Sequence, residues 1–172
     1  GNPGMFLPNL PIDSSSPELV GAIDRFLAAT LAFGHAPFLV LDMMFTPRSD
    51  TGNAYPRVGR HATPEVGLPY VLRSYHMVLP AAKLYTQVTA EEIRYLSDDG
   101  CWRDASSALL SGDRELQRIA VRYSDGTCVV ANGHLKKRLK AVFAGRSLNL
   151  PPCAYCVWNE RTGLEIESSD RF

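Results

Sequence analysis

This chain of 172 residues lacks a charge excess, a long apolar run and a dense set of cysteines. Its 18 lysines and arginines balance 18 aspartates and glutamates, so the whole chain has no basic footprint for nucleic acid or an anionic membrane surface. No apolar stretch approaches the roughly 20 residues that a membrane-spanning helix needs. Four cysteines are too few for a disulfide framework in a domain of this size. We therefore expect neither a nucleic-acid partner nor a membrane partner.

Motifs for common metals and cofactors are also missing. The sequence contains no glycine-rich phosphate loop, no serine nucleophile elbow and no pair of histidines at metal-ligand spacing. Cys153 and Cys156 have the spacing of a zinc or redox pair, but a second ligand pair is absent and both lie on a predicted strand. We expect two ordinary buried thiols, with metal binding or a disulfide to Cys101 or Cys128 as alternatives. Our prediction is no metal site and no cofactor.

The first half of the chain shows helical periodicity. A start signal at Ser16-Pro17-Glu18 precedes apolar residues at helical spacing up to Gly34. Thr63-Pro64-Glu65 repeats that signal before a second helix, which runs toward Gln87. A loop rich in Pro, Gly, Asn and Arg covers residues 46–62, and loops of that length tend to be functional or mobile.

From Ala90 onward the period becomes alternating, as in strands. The Asp125-Gly126 step predicts a tight hairpin turn after the strand 118–123. Turn signals separate about seven short candidate strands, which favours a β-sandwich. These strands are Glu92–Leu96, Ala105–Leu110, Arg118–Tyr123, Thr127–Ala131, Leu139–Phe143, Tyr155–Trp158 and Leu164–Ile166.

The predicted fold class is therefore α+β. An N-terminal helical segment with two main helices, residues 1–88, is expected to pack on a C-terminal antiparallel β-sandwich domain, residues 89–172.

Two stretches of the chain resemble the C-terminal part of certain glycoside hydrolases. Residues 32–39, AFGHAPFL, followed by Arg73-Ser74-Tyr75-His76, are similar to the end of their catalytic barrel, where a helix with an aromatic-Gly-His ending precedes a helix with Arg and Tyr. The tail resembles their appended β-sandwich through Tyr123-Ser124-Asp125-Gly126, Asn132-Gly133 and Leu150-Pro151-Pro152. The resemblance implies a protein that acts on carbohydrate and a carbohydrate partner.

The same resemblance implies that the catalytic machinery is incomplete. Glycoside hydrolysis uses two carboxylates at the ends of barrel strands, and a barrel of roughly 250 residues cannot fit in this chain. We therefore expect a C-terminal, non-catalytic portion of a carbohydrate-active protein. Asp42 is the best lone catalytic candidate because it lies inside the apolar run 38–45, but a hydrogen-bonded helix or strand end is the favoured explanation of this residue.

Candidate substrate-binding residues are those with polar groups that suit sugar hydroxyls: His35, His61, Arg73 and Tyr75. His35 follows a helix end, where capping of free carbonyls is the alternative role. Trp102, Tyr55 and Trp158 are candidate stacking platforms for sugar rings, the alternative being that they fill the core.

Two other functions compete with the non-catalytic portion of a glycoside hydrolase-like protein. One is an accessory module that binds carbohydrate or protein through exposed aromatic residues. The other is a small enzyme with a pocket around Asp42, His35 and Arg73.

Overall fold

The structure is a computed structural model that describes residues 28, 30–34, 76, 79–85, 87–113 and 118–167. Strand is their main regular structure, and helix occurs at residues 28, 30–32, 76 and 79–85 and in one short helix, Ala105–Ser111. The strands are β1 (Ala90–Leu96), β2 (Trp102–Arg103), β3 (Arg118–Tyr123), β4 (Cys128–Asn132), β5 (Leu139–Phe143), β6 (Arg146–Leu150), β7 (Tyr155–Asn159) and β8 (Leu164–Glu167).

Six strands form one antiparallel sheet in the order β2-β1-β3-β4-β7-β8. The remaining two strands, β5 and β6, form a separate hairpin, which lies between β4 and β7 in the sequence but not in the sheet. This hairpin turns through Ala144 and Gly145, whose φ angles are 46° and 79°. A two-residue turn of type I′ needs positive φ at both central positions, and alanine rarely adopts it.

The centre of the sheet is covered on both faces by other elements. One face packs against helical residues, with Leu31 and Tyr85 in the same cluster as Val121 and Val157 of the sheet. The opposite face packs against the β5–β6 hairpin through a second cluster, whose large members include Leu139, Leu148, Leu150 and Trp158. The sheet is therefore the middle layer, with helical residues on one side and a hairpin on the other.

The predicted α+β class, with two main helices packed on a β-sandwich, is wrong. Helix is sparse among the described residues, and the strands form a single six-stranded sheet with a two-stranded hairpin across one face. The reason lies in β4 and β7, where every residue is buried. A strand of a two-sheet sandwich has one covered face, whereas these strands carry apolar side chains on both faces and need cover on both sides. The predicted helix starts at Ser16 and Thr63 lie outside the described residues.

Ala105–Leu110 was predicted as a strand and is helical. The Asp104 carboxylate caps the helix by accepting the backbone N–H groups of Ser106 and Ser107, both at 2.9 Å. Gly112 ends the helix in the left-handed conformation, with φ of 78°. An aspartate before the segment and a glycine after it are the standard signals of helix ends, and they outweigh the apolar pattern.

The other strand predictions agree with the structure within two residues at either end. Arg118–Tyr123 and Leu139–Phe143 have the predicted bounds. The Asp125-Gly126 turn also joins β3 to β4 as predicted, with Gly126 at φ of 87°. Two strands were missed, β2 because it has only two residues and β6 because its polar and charged residues resemble a turn.

Candidate functional site

The candidate catalytic and substrate-binding residues predicted from the sequence lie outside the described residues. They are Asp42, His35, His61, Arg73 and Tyr75, and the stacking candidate Tyr55 lies outside as well. Their roles remain predictions.

The helix end at residues 32–34 contacts strand β3 at Tyr123. The Tyr123 hydroxyl donates a hydrogen bond to the carbonyl of Ala32 at 3.4 Å, and its ring stacks on Tyr85 with centroids 5.4 Å apart. A Cβ atom at Gly34 would lie only 2.6 Å from the same hydroxyl. Burial raises the pKa of Tyr123 to about 12, so the hydroxyl stays protonated and can donate. Tyr123 thus holds the end of a helix against the sheet.

Asp125 stabilises the β3–β4 turn with its carboxylate. Oδ1 accepts the backbone N–H of Thr127 at 2.9 Å, and Oδ2 accepts the Thr127 hydroxyl at 2.8 Å. Asn159 donates to the same Oδ2 at 3.3 Å. The Asp125 carboxylate thus accepts three hydrogen bonds from its own turn and from Asn159. Its role is to stabilise the turn.

Asn132 joins the Asn-Gly motif to the Leu-Pro-Pro motif. The two N–H groups on Nδ2 of this fully buried side chain are shared among three carbonyls, those of Lys137 at 2.9 Å, Leu150 at 3.2 Å and Pro151 at 2.8 Å. The amide therefore ties both ends of the β5–β6 hairpin to the C-terminal end of β4. Like Asp125, this motif residue serves the fold.

The two tryptophans belong to the cluster under the hairpin. Trp102 donates from Nε1 to the Val142 carbonyl at 2.8 Å and meets Phe143 edge-on. Trp158 is only 5% exposed, and the Arg146 guanidinium lies 5.2 Å from its ring centroid. These contacts support the core role over the predicted role as open stacking platforms.

The structure describes all four cysteines and shows no disulfide among them. Cys153 lies in the turn before β7, at φ of 61°, and not on the strand as predicted. Burial raises the pKa of both Cys128 and Cys156 to about 11, so each stays a neutral thiol and a poor nucleophile. Within the described ranges, no group of three His, Cys, Asp or Glu side chains could hold a metal ion.

Three carboxyl groups near the β1–β2 turn have lowered pKa values. The Ser97 hydroxyl, then the Cys101 backbone N–H, brings the pKa of Asp99 down to about 2. A hydrogen bond from Arg118 lowers the pKa of Asp98, and the N–H of Ser107 lowers that of Asp104. A glycosidase acid needs the opposite shift, because it must hold its proton near neutral pH. These three acids are therefore ionised hydrogen-bond acceptors.

A cleft of about 380 Å³ opens where three hairpin turns meet at one end of the sheet. Its floor is a row of side chains that stand directly opposite each other on neighbouring strands: Arg122, Cys128 and Trp158. Its walls come from the β3–β4 turn, from Ala144 of the hairpin, and from Glu160 and Arg161 after β7. Sequence reasoning missed the cleft because the row depends on strand register, which no local motif encodes.

None of the helices in the described part of the chain has the length and apolarity to cross a lipid bilayer. Comparison of the chain with protein families, with curated proteins and with solved structures finds no match.

Proposed function

We propose that this chain is the C-terminal, non-catalytic portion of a carbohydrate-active, glycoside hydrolase-like protein. The observation that carries the proposal is the contact of Tyr123 with Ala32 and Gly34. Tyr123 belongs to the motif that resembles the appended domain of those enzymes, and Gly34 belongs to the motif that resembles the end of their barrel. Two motifs far apart in sequence therefore contact each other in the fold.

The motifs of the tail support the proposal in a second way. Asp125 forms the first hairpin turn, and Asn132 connects the Asn-Gly step with the Leu-Pro-Pro step. Both motifs therefore have structural roles in the tail, which is what the proposal expects of an appended, non-catalytic domain.

The chemistry of the described carboxylates supports a non-catalytic role. The acids whose pKa departs clearly from its ordinary value, Asp98, Asp99 and Asp104, all shift downward. Asp125 is occupied by Thr127 and Asn159. Asp98, Asp99 and Asp104 are thus not held protonated, as a general acid for glycoside cleavage would be.

Two assays on the full chain test the proposal. Affinity electrophoresis in gels cast with soluble polysaccharides measures binding, and release of nitrophenol from aryl glycosides measures turnover. We expect at least one polysaccharide to retard the chain and no enzymatic turnover. Asp42→Asn and, as a matched control, the exposed Glu91→Gln should leave both results unchanged.

Two outcomes would contradict the proposal. If no polysaccharide retards the chain, the carbohydrate assignment fails. If the chain turns over a glycoside and Asp42→Asn alone abolishes the activity, the non-catalytic assignment fails and Asp42 becomes the catalytic acid.

A further inference from the structure

The cleft between the three hairpin turns has the features of a small-molecule site, and we infer that it binds a neutral sugar unit of a polysaccharide. The class of ligand rests on the proposed function, whereas the location rests on the geometry below. At about 380 Å³ the cleft lies at the small end of the range for ligand sites and suits a short stretch of sugar chain.

The floor of the cleft is part of one row of side chains across five strands. Glu92, Arg122, Cys128, Trp158 and Glu165 stand opposite one another in register, so all five lie on the same face of the sheet. The β5–β6 hairpin covers this face, and its turn residue Ala144 lines the cleft. The cleft is thus the place where the second layer ends and the sheet face opens.

Two arginines supply hydrogen-bond donors to the cleft. One nitrogen of Arg122 lies 3.1 Å from the Glu92 carboxylate, and the Arg122 side chain is 49% exposed. Arg161 donates from Nη2 to the carbonyl of Asp125. A guanidinium carries five N–H donors, so each arginine retains donors that these contacts do not use.

One carboxylate supplies the acceptors. The exposed Glu160 lines the cleft and makes no hydrogen bond or ion pair with any part of the chain that the structure describes. Asp125 also lines the cleft, but Thr127 and Asn159 already occupy its oxygens. Glu160 is therefore the lining carboxylate whose oxygens are open to a hydrogen bond from a ligand.

The charges on the lining select a neutral ligand. Arg122 and Arg161 balance Asp125 and Glu160, so the lining side chains carry no formal net charge that would favour an anion or a cation. A sugar offers hydroxyls that both donate and accept, which matches a guanidinium fork on one side and a carboxylate on the other.

The indole N–H signals of Trp102 and Trp158 in a ¹⁵N-labelled sample make a direct test. The probes are neutral oligosaccharides of glucose, xylose, mannose and galactose, with inorganic phosphate as the anionic probe. A Trp102→Phe variant assigns the two signals. We expect a neutral oligosaccharide to shift the Trp158 signal. The Trp102 signal should not shift, because its indole N–H is hydrogen-bonded to the Val142 carbonyl.

Variants locate the binding. Glu160→Gln and Arg161→Ala should each weaken binding of that oligosaccharide roughly tenfold, since each removes charge-assisted hydrogen bonds. Arg161→Lys keeps the positive charge but lacks the bidentate guanidinium, so it should reduce the affinity less than Arg161→Ala does. Arg138→Ala is the matched control, because Arg138 is an exposed arginine that bonds Asn149 and does not line the cleft.

The outcomes separate this inference from the proposed function. If an oligosaccharide binds with unchanged affinity in Glu160→Gln and Arg161→Ala, the cleft assignment is wrong and the proposed function stands. If phosphate shifts the Trp158 signal and no neutral sugar does, the ligand class is wrong. If no polysaccharide or oligosaccharide binds the chain at all, the proposed function itself fails.

Discussion

The backbone of Gly34 lies directly under the hydroxyl of Tyr123. Gly34 has φ of 67°, and a Cβ atom placed there would be 2.6 Å from Tyr123 Oη and 3.4 Å from Cζ. Glycine is required on two counts, because the left-handed backbone disfavours a side chain and the tyrosine leaves no room for one.

Gly34→Ala should therefore lower the free energy of unfolding by about 2 to 4 kcal/mol, measured by urea denaturation. Gly112→Ala is the matched control, since Gly112 has φ of 78° with nothing within 4 Å, and it should cost only about 1 kcal/mol. In a Tyr123→Phe background, which removes the clashing oxygen, the cost of Gly34→Ala should fall toward that of the control. Equal costs in both backgrounds would show that the contact is absent.

Asn132→Ala should destabilise the protein strongly. The change leaves the carbonyls of Lys137, Leu150 and Pro151 without the Nδ2 donor, at a position that is fully buried. We expect a loss of about 2 to 4 kcal/mol in the free energy of unfolding. Asn149→Ala, which removes an exposed side-chain contact with Arg138, should cost less than about 1 kcal/mol. Comparable losses for the two variants would contradict the role assigned to Asn132.

Sequence reasoning located most strands because local signals were strong. The Asp125-Gly126 turn and the apolar runs on either side of it require nothing beyond neighbouring residues. It failed where the outcome depended on distant contacts. The burial of both faces of β4 and β7 comes from two different layers, and the Arg122–Cys128–Trp158 row comes from strand pairing. The helix at Ala105–Ser111 was a different kind of miss, since the capping signals of Asp104 and Gly112 are present in the sequence.

Acid should weaken the fold through Asp99. The unfolded chain has the ordinary aspartate pKa of 3.8, and the folded chain holds the pKa at about 2 through the Ser97 hydroxyl, the Cys101 N–H and Arg103. Because the folded pKa is the lower one, the stabilisation is complete above the unfolded value and is lost as pH falls from about 4 to about 2. Urea midpoints measured at several pH values should drop across that window. Asp99→Asn should flatten the drop, and a profile unchanged from the parent would contradict the assignment.

A substitution at Ala144 in the β5–β6 turn should stabilise the protein. This alanine has φ of 46°, in the left-handed region, where asparagine is better suited. Ala144→Asn should raise the free energy of unfolding by roughly 0.5 to 1 kcal/mol, measured as a rise in the denaturation midpoint. Ala141→Asn, in the same hairpin but on strand β5, should not stabilise the protein. A destabilised Ala144→Asn variant would show that the turn does not have this conformation.

The four cysteines should differ sharply in reactivity toward a thiol reagent such as dithionitrobenzoate. Cys101 is exposed, whereas Cys128, Cys153 and Cys156 are buried. Burial raises the pKa of Cys128 and Cys156 to about 11, which leaves little thiolate at pH 8. We expect one thiol to react quickly in the native protein, the fast phase to vanish in Cys101→Ser, and all four thiols of the parent to react in denaturant.

A purified protein with stoichiometric zinc, lost on Cys153→Ser or Cys156→Ser, would instead establish the metal pair that the spacing of these two residues first suggested.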